Sequence, residues 1–482
     1  MRKIEKIMIS NNTMEKKNFF APLALGLGAT RRAAMLLLVM MLTTATAWAW
    51  SGSGTSADPY QVASASDLAI LATDVNGGTD YSQKFFLQTA DITLSSAWTP
   101  IGSSSHPFKG HYNGGGCKIS GLSVSGSYQY AGLFGYTRGV GNSPTNQLCE
   151  LKNIVVEGCN IDVSGTSGTY AGGIVGYASD DSRIINCRVS GTVTATTGAG
   201  GIAGQLWTTP SGHISMMSQC FADVTVAANN KGKLIGYVST AVSETALNSK
   251  TSYYHADGSC TAFGNNVDIT YSVPLYTVTA SSSVTVAETN ATLTHGGKHF
   301  FASGATATLT IDDASKAFST FSVSGATYSL AADRKNATVT LASSDATVSA
   351  TLITITGSCG TNATWTMSDA DGNGTFETLT INGTGAITSS PWATDFAATI
   401  ERVNIGSADL TISGNPFSTL GEGALIVVPT TAYAVSYSSA AYASKLRVAL
   451  GSYLFTATNE GGTAAYEIAN ETDLRNLSAA VN

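Results

Sequence analysis

The sequence predicts an all-β fold: a parallel β-helix or solenoid, then a small β-sandwich and a short second repeat region. Three observations lead there. Charged residues make up only 12% of the 482 residues while Gly numbers 50. Long stretches are filled by Ser, Thr, Ala and Val, and Thr and Val suit pleated strands while Gly and Asn suit the turns between them. Short glycine-containing strings recur through the first half of the chain, and recurrence of this kind marks stacked repeats. The stretch 276–352 alternates apolar and polar residues between closely spaced turn signals, the pattern of a sandwich.

Taken in chain order, residues 1–49 read as a secretory signal peptide. Arg2, Lys3, Lys6, Lys16, Lys17, Arg31 and Arg32 precede an apolar run over 33–42, and Ala47 and Ala49 supply the small residues that a signal peptidase requires. Cleavage is expected after Ala49 or, as second choice, after Ala47. The apolar run is short for a bilayer crossing, so no stable membrane span is expected after cleavage. No Cys stands directly after it, which argues against a lipid anchor. The expected location is therefore outside the cytoplasm, at the cell surface or in the medium. The rest of the chain carries 18 basic against 30 acidic residues, a net charge of −12. That balance argues against nucleic acid as a partner, since phosphate binding rests on clustered Lys and Arg.

Residues 50–262 carry the repeats. YAGLFGY (130–136), YAGGIVGY (170–177), GAGGIAGQ (198–205) and KGKLIGY (231–237) each combine small residues, aliphatics and a closing Gly. The last copy departs most, with Lys231 and Lys233 at small-residue positions. Upstream of the last three, Cys159, Cys187 and Cys220 stand 13, 13 and 12 residues before Gly172, Gly200 and Gly232. Stacked strands lie about 4.8 Å apart, so these three thiols are expected to form one ladder in the core, with aliphatics pointing in and Gly forming the corners. Parallel thiols make poor disulfide geometry, and reduced core cysteines are expected.

These strings resemble the GLUG motif of β-helical, adhesin-like surface proteins of gut Bacteroidetes, which also occurs beside some immunoglobulin-cleaving peptidases. The opening GTSADPYQVASASDLAILA (54–72) and the stretch containing Asp91, Trp98, Pro100, Gly102, Phe108 and Gly110 are similar to the lead-in of such modules. The resemblance covers 54–238 and implies a surface protein that contacts an extracellular ligand.

Residues 265–355 supply the sandwich strands, and THGGKHFFASGATATLTI within them resembles repeat domains that serve bacterial surface proteins as spacers or contact modules. From 356 to 462, GSCGTNATWTMSDADGNGTFETLTINGTGAI and IERVNIGSADLTISGNPF resemble the BspA-like leucine-rich repeat proteins. Residues 466–482 parallel 60–76 without a gap, matching Asp473-Leu474 to Asp67-Leu68, Leu477 to Leu71 and Val481 to Val75. Residues 463–482 are thus expected to open a second, truncated module of the first kind.

Chemistry is sparse. Asp369, Asp371, Asn373 and Gly374 match the front of a calcium loop, which crowds hard oxygen donors around one cation. Thr380 stands where such a loop places its bidentate Glu, so the segment reads as a polar hairpin turn and no metal site is expected. His295 and His299 flank Gly296-Gly297, where hairpin pairing would set Lys298 opposite His295 and break up a metal pair. His106 and His111 sit among turn residues. Asp180, Asp181 and Arg183 come nearest to a β-helix lyase or hydrolase constellation, but follow Gly176-Tyr177 so closely that a surface turn is expected. No Ser-His-Asp order, HExxH string or electropositive Cys appears. The expectation is a non-catalytic, cofactor-free interaction protein, adhesin-like, that presents its solenoid to a glycan or protein ligand. Tyr128, Tyr130, Tyr136 and Tyr177 are candidate anchors, with corner stacking the plainer role for Tyr136 and Tyr177. The alternatives are the non-catalytic arm of a larger peptidase and a β-helix polysaccharide lyase or hydrolase.

Overall fold

The computed structural model describes residues 50–140, 148–209, 215–239, 251–264 and 272–482; the segment 1–49, expected to be a signal peptide, lies outside them. The described chain is nearly all β, in several sheets, none of which closes on itself. Between Tyr60 and His255 the strands are parallel and recur in a fixed order. Cys149–Lys152, Val155–Asp162, Tyr170–Gly172 and Val175–Ser179 form one repeat. Ser182–Ile185, Arg188–Thr194, Gly198–Gly200 and Ala203–Leu206 form the next, each strand paired with its counterpart. Met216–Ser218, Phe221–Ala227, Asn230–Gly232 and Ile235–Val238 continue the four ladders.

The four glycine-containing strings meet in register: Tyr130 pairs with Tyr170, Tyr170 with Gly198, and Gly198 with Asn230. A degenerate further copy follows, in which Phe263 bridges Ile235 and Leu234 donates to the Ala262 carbonyl. Inward side chains form columns: Leu133, Ile174, Ile202 and Leu234 are all fully buried.

The structure departs from the sequence expectation at the glycines and at the thiols. Gly176, Gly204 and Gly236 do not form corners; they lie in strands, and a Cβ on each would sit 2.4 Å from the backbone nitrogen of Ala131, Ala171 and Ala199 respectively. The glycine recurs because backbones of two ladders touch there. The corners belong to Asn153, Asn186 and Gln219, all at positive φ. Asn186 Nδ2 donates to Asn153 Oδ1 at 2.8 Å, and Asn153 Nδ2 to Asn113 Oδ1 at 2.9 Å.

The thiol ladder is also different from the one expected. Arg188 pairs with Phe221, so Cys187 and Cys220 are neighbours, but Val155 pairs with Arg188 and puts Ile154, not Cys159, beneath Cys187. Cys159 faces Gly191 beyond a bulge at Glu157-Gly158, and a longer turn follows Asp162. Those extra residues restored the 13-residue spacing to Gly172 by coincidence. All seven cysteines are free, five of them buried and Cys117 and Cys260 half-buried.

The ladder containing Phe221–Ala227 runs on through Ser252–His255 into Ser272–Thr279, which then pairs antiparallel with Lys298–Ala302. The following antiparallel strands, Thr306–Ile311 to Ala346–Thr354, enclose a second cluster around Phe301, Leu309, Phe318 and Val339. A third cluster, around Trp365, Trp392, Phe417 and Ile426, lies under a sheet in which Thr378–Ile387, Arg402–Ile405, Leu425–Val428 and Leu446–Leu450 are parallel.

Helices are few, and the two matching segments 60–76 and 466–482 supply two of them. Ser64 caps Ala65–Asn76 and Asn470 caps Glu471–Val481, while Asp67 and Asp473 accept the backbone N–H of the residue before each cap, Ala63 and Ala469. The first helix buries Leu68, Leu71 and Val75; the second buries none of its residues, and Leu474 and Val481 are exposed.

Candidate binding surface

Outward residues of the third and fourth ladders gather aromatic rings on one face. Tyr130 and Tyr170 pair in one ladder; Tyr136, Tyr177, Gln205 and Tyr237 align in the other. Tyr136 and Tyr177 lie face to face, ring centroids 4.9 Å apart and planes 8° from parallel. Tyr130 meets both edge-on, at 5.2 and 5.0 Å. Tyr170 packs 5.9 Å from Tyr177, and its ring covers Gly198, where a Cβ would meet it at 2.8 Å. All four rings are half-buried. Burial and neighbouring phenols raise the pKa of Tyr130 and Tyr177, so the hydroxyls stay neutral donors and acceptors at physiological pH.

Tyr130 also lines a cleft of about 260 Å³ with Asn76, Ser103, Ser127, Tyr128 and Gln129. Asn76 is fixed there by two backbone contacts, to Pro100 O at 3.0 Å and from Gly102 N at 2.9 Å. Rigid aromatic bodies with polar tips beside a polar cleft are the residue types that dominate recognition surfaces. Of the expected anchors, Tyr130, Tyr136 and Tyr177 come together and Tyr128 lines the same cleft as Tyr130; Tyr170, which opens YAGGIVGY, completes the cluster as a residue outside the expected set.

The other candidates separate. Asp180 and Asp181 form the turn between Val175–Ser179 and Ser182–Ile185 as expected, but are buried, and Asp180 accepts from Thr209 N at 2.7 Å. Arg183 lies in the following strand. His295 pairs with Lys298 across Gly296-Gly297, as the hairpin reading requires; it is buried against Phe221, while His299 bonds Thr294. His111 stacks on Phe85 at 4.2 Å and His106 sits in a turn. Asp369, Asp371 and Asn373 occupy the loop between Asn362–Ser368 and Thr378–Ile387. Among the described residues no helix is long and apolar enough to cross a membrane.

A network absent from the sequence reading joins the first two strand systems. His255 contacts Asp223 at 2.6 Å and Asp345 at 2.9 Å, and Lys298 contacts Asp223 at 2.9 Å. Burial alone would lower the His255 pKa, but hydrogen bonds from its ring to the two carboxylates override this and raise it to about 9. Burial likewise opposes charge on Asp223, yet His255 and Lys298 hold it down at about 2. Nothing local in the sequence marks these residues, which lie far apart along it.

Compared with known proteins, residues 167–194 match the family model described as the GLUG motif, which spans YAGGIVGY and the strand after Cys187. No curated protein matches the chain. A solved structure described as "a putative immunoglobulin A1 protease from Bacteroides ovatus" is similar at 20% identity and a TM-score of 0.33. The similarity covers 42% of this chain and 66% of that one, so this chain spans just under two thirds of that protein's length.

Proposed function

We propose that this protein is an exported, non-catalytic interaction protein, adhesin-like, which meets an extracellular glycan or protein through the tyrosine face of its repeats. The observation that carries the reading is the clustering of Tyr130, Tyr136, Tyr170 and Tyr177 on the outside of a region whose aliphatics are otherwise turned inward. Core packing does not call for four half-buried phenols beside a polar cleft. On this reading residues 50–262 are a GLUG-type β-helix, which the four parallel ladders and the motif match support. Residues 265–355 are a sandwich spacer. Residues 356–462 are a BspA-like leucine-rich region, supported by parallel strands in which Thr378, Arg402 and Leu425 pair in succession, near the period of about 20–29 residues for such repeats.

Screening residues 50–482 against arrays of glycans and extracellular-matrix proteins tests the proposal. A saturable ligand of either class is the expected result. Silence across both arrays would leave a spacer that only holds other modules apart.

A further inference from the structure

The loop 369–377 carries a carboxylate that its surroundings leave unexplained. Glu377 is only 8% exposed, and its Oε2 is buried with no hydrogen-bond partner, while Oε1 accepts from Ala370 N at 2.6 Å. One oxygen each from Asp369, Asp371 and Glu377 lie within 4.8 Å of one another. Three carboxylates so close repel, and a buried unpaired one is costly unless something positive sits between them.

No basic side chain does so: among the described residues none of the three has an ion-pair partner. Arg334, which reaches the loop, bonds the carbonyls of Phe318, Ser319 and Gly374 rather than a carboxylate. Backbone hydrogen bonds hold the loop in place. Glu401 N and Arg402 N both donate to Glu377 O, and Gly372 N and Gly374 N each donate to Asp369 at 2.7 Å, with both glycines at positive φ.

We infer that this loop is a calcium site whose donors are Asp369, Asp371 and Glu377. All of the donors are oxygen, the choice of a hard cation, and two oxygens on one calcium at about 2.4 Å can be no more than about 4.8 Å apart. The loop keeps the D-x-D-x-N-G front, but Glu377 comes three residues before Thr380, the position at which a full-length calcium loop carries its bidentate Glu. The side chain reaches the carboxylates from the last residue before the next strand. Calcium, tolerant of irregular geometry and completed by water, suits such a shortened loop better than octahedral magnesium.

The test is calorimetric titration of residues 50–482 with calcium chloride after chelation, together with thermal unfolding with and without the metal. One saturable site and a raised midpoint are expected. Glu377→Gln, which keeps shape and removes charge, should weaken binding at least tenfold and abolish the midpoint shift, and Asp313→Asn, in another Asx turn, should leave both intact. No saturable heat, a Glu377→Gln protein that responds like the parent, or an equal response to magnesium would overturn the assignment.

Discussion

Lys233 occupies a position that glycine holds in two other repeats, and it is fully buried. Its ammonium reaches the Val224 carbonyl and Asp257 Oδ2, the latter at 2.7 Å. Lys233 is buried but the Asp257 carboxylate is partly open to solvent, which screens part of the attraction. Removing it leaves the buried ammonium with the Val224 carbonyl alone, a loss of about 1–3 kcal/mol, whereas replacing both groups by apolar ones is often neutral. Asp257→Ala is therefore expected to lower stability by about 1–3 kcal/mol in urea unfolding, and Lys233→Met combined with it to recover most of the loss. Equal stabilities for parent and single variant would contradict this role. The sequence showed Lys233 as a departure from its repeat but not its partner, because Asp257 belongs to a different strand connection. Glu377 escaped for a related reason: a loop motif fixes which positions are examined, while burial is a property of the folded chain.

At the scale of the element, the glycine that closes each string is a contact residue between ladders. Gly204→Ala would press a methyl to 2.4 Å from Ala171 N, against backbone that has nowhere to move. Overpacking of this kind costs about 1–3 kcal/mol, and thermal unfolding should show it, while Gly165→Ala, with nothing within 4 Å of the added carbon, should be silent. A silent Gly204→Ala would mean the ladders are not held together at that point. The repeats were legible in the sequence because this steric demand recurs with them. Cys159 misled because a bulge and a longer turn cancelled in the residue count, and the asparagine corners were overlooked although Asn186 directly precedes Cys187 as Gln219 precedes Cys220. The short helix at 65–76 was also missed, its cap Ser64 and Asp67 being a local signal overshadowed by the β composition.

For the whole molecule, the seam between the parallel repeats and the antiparallel strands is sealed by a continuous sheet, by Phe221, Leu275 and Phe300, and by the His255 network. Because the folded His255 pKa of about 9 exceeds its ordinary value, its contribution is complete below about pH 6.5 and is lost as pH rises through about 9. Asp223, held at about 2, contributes above its ordinary value and loses that contribution only as pH falls through about 2. Calorimetric unfolding midpoints should thus fall between pH 7 and 10 in the parent and much less in His255→Gln; parallel profiles would remove the histidine from the seam. The all-β character was plain from composition, whereas the seam, built from residues brought together across the fold, had no sequence signature. The tyrosine face is the central claim, and its most direct test is the affinity of an array-identified ligand for the parent and for a Tyr130→Ser, Tyr136→Ser, Tyr177→Ser variant with unchanged circular dichroism. A loss of at least tenfold is predicted, and an unchanged affinity would contradict the account.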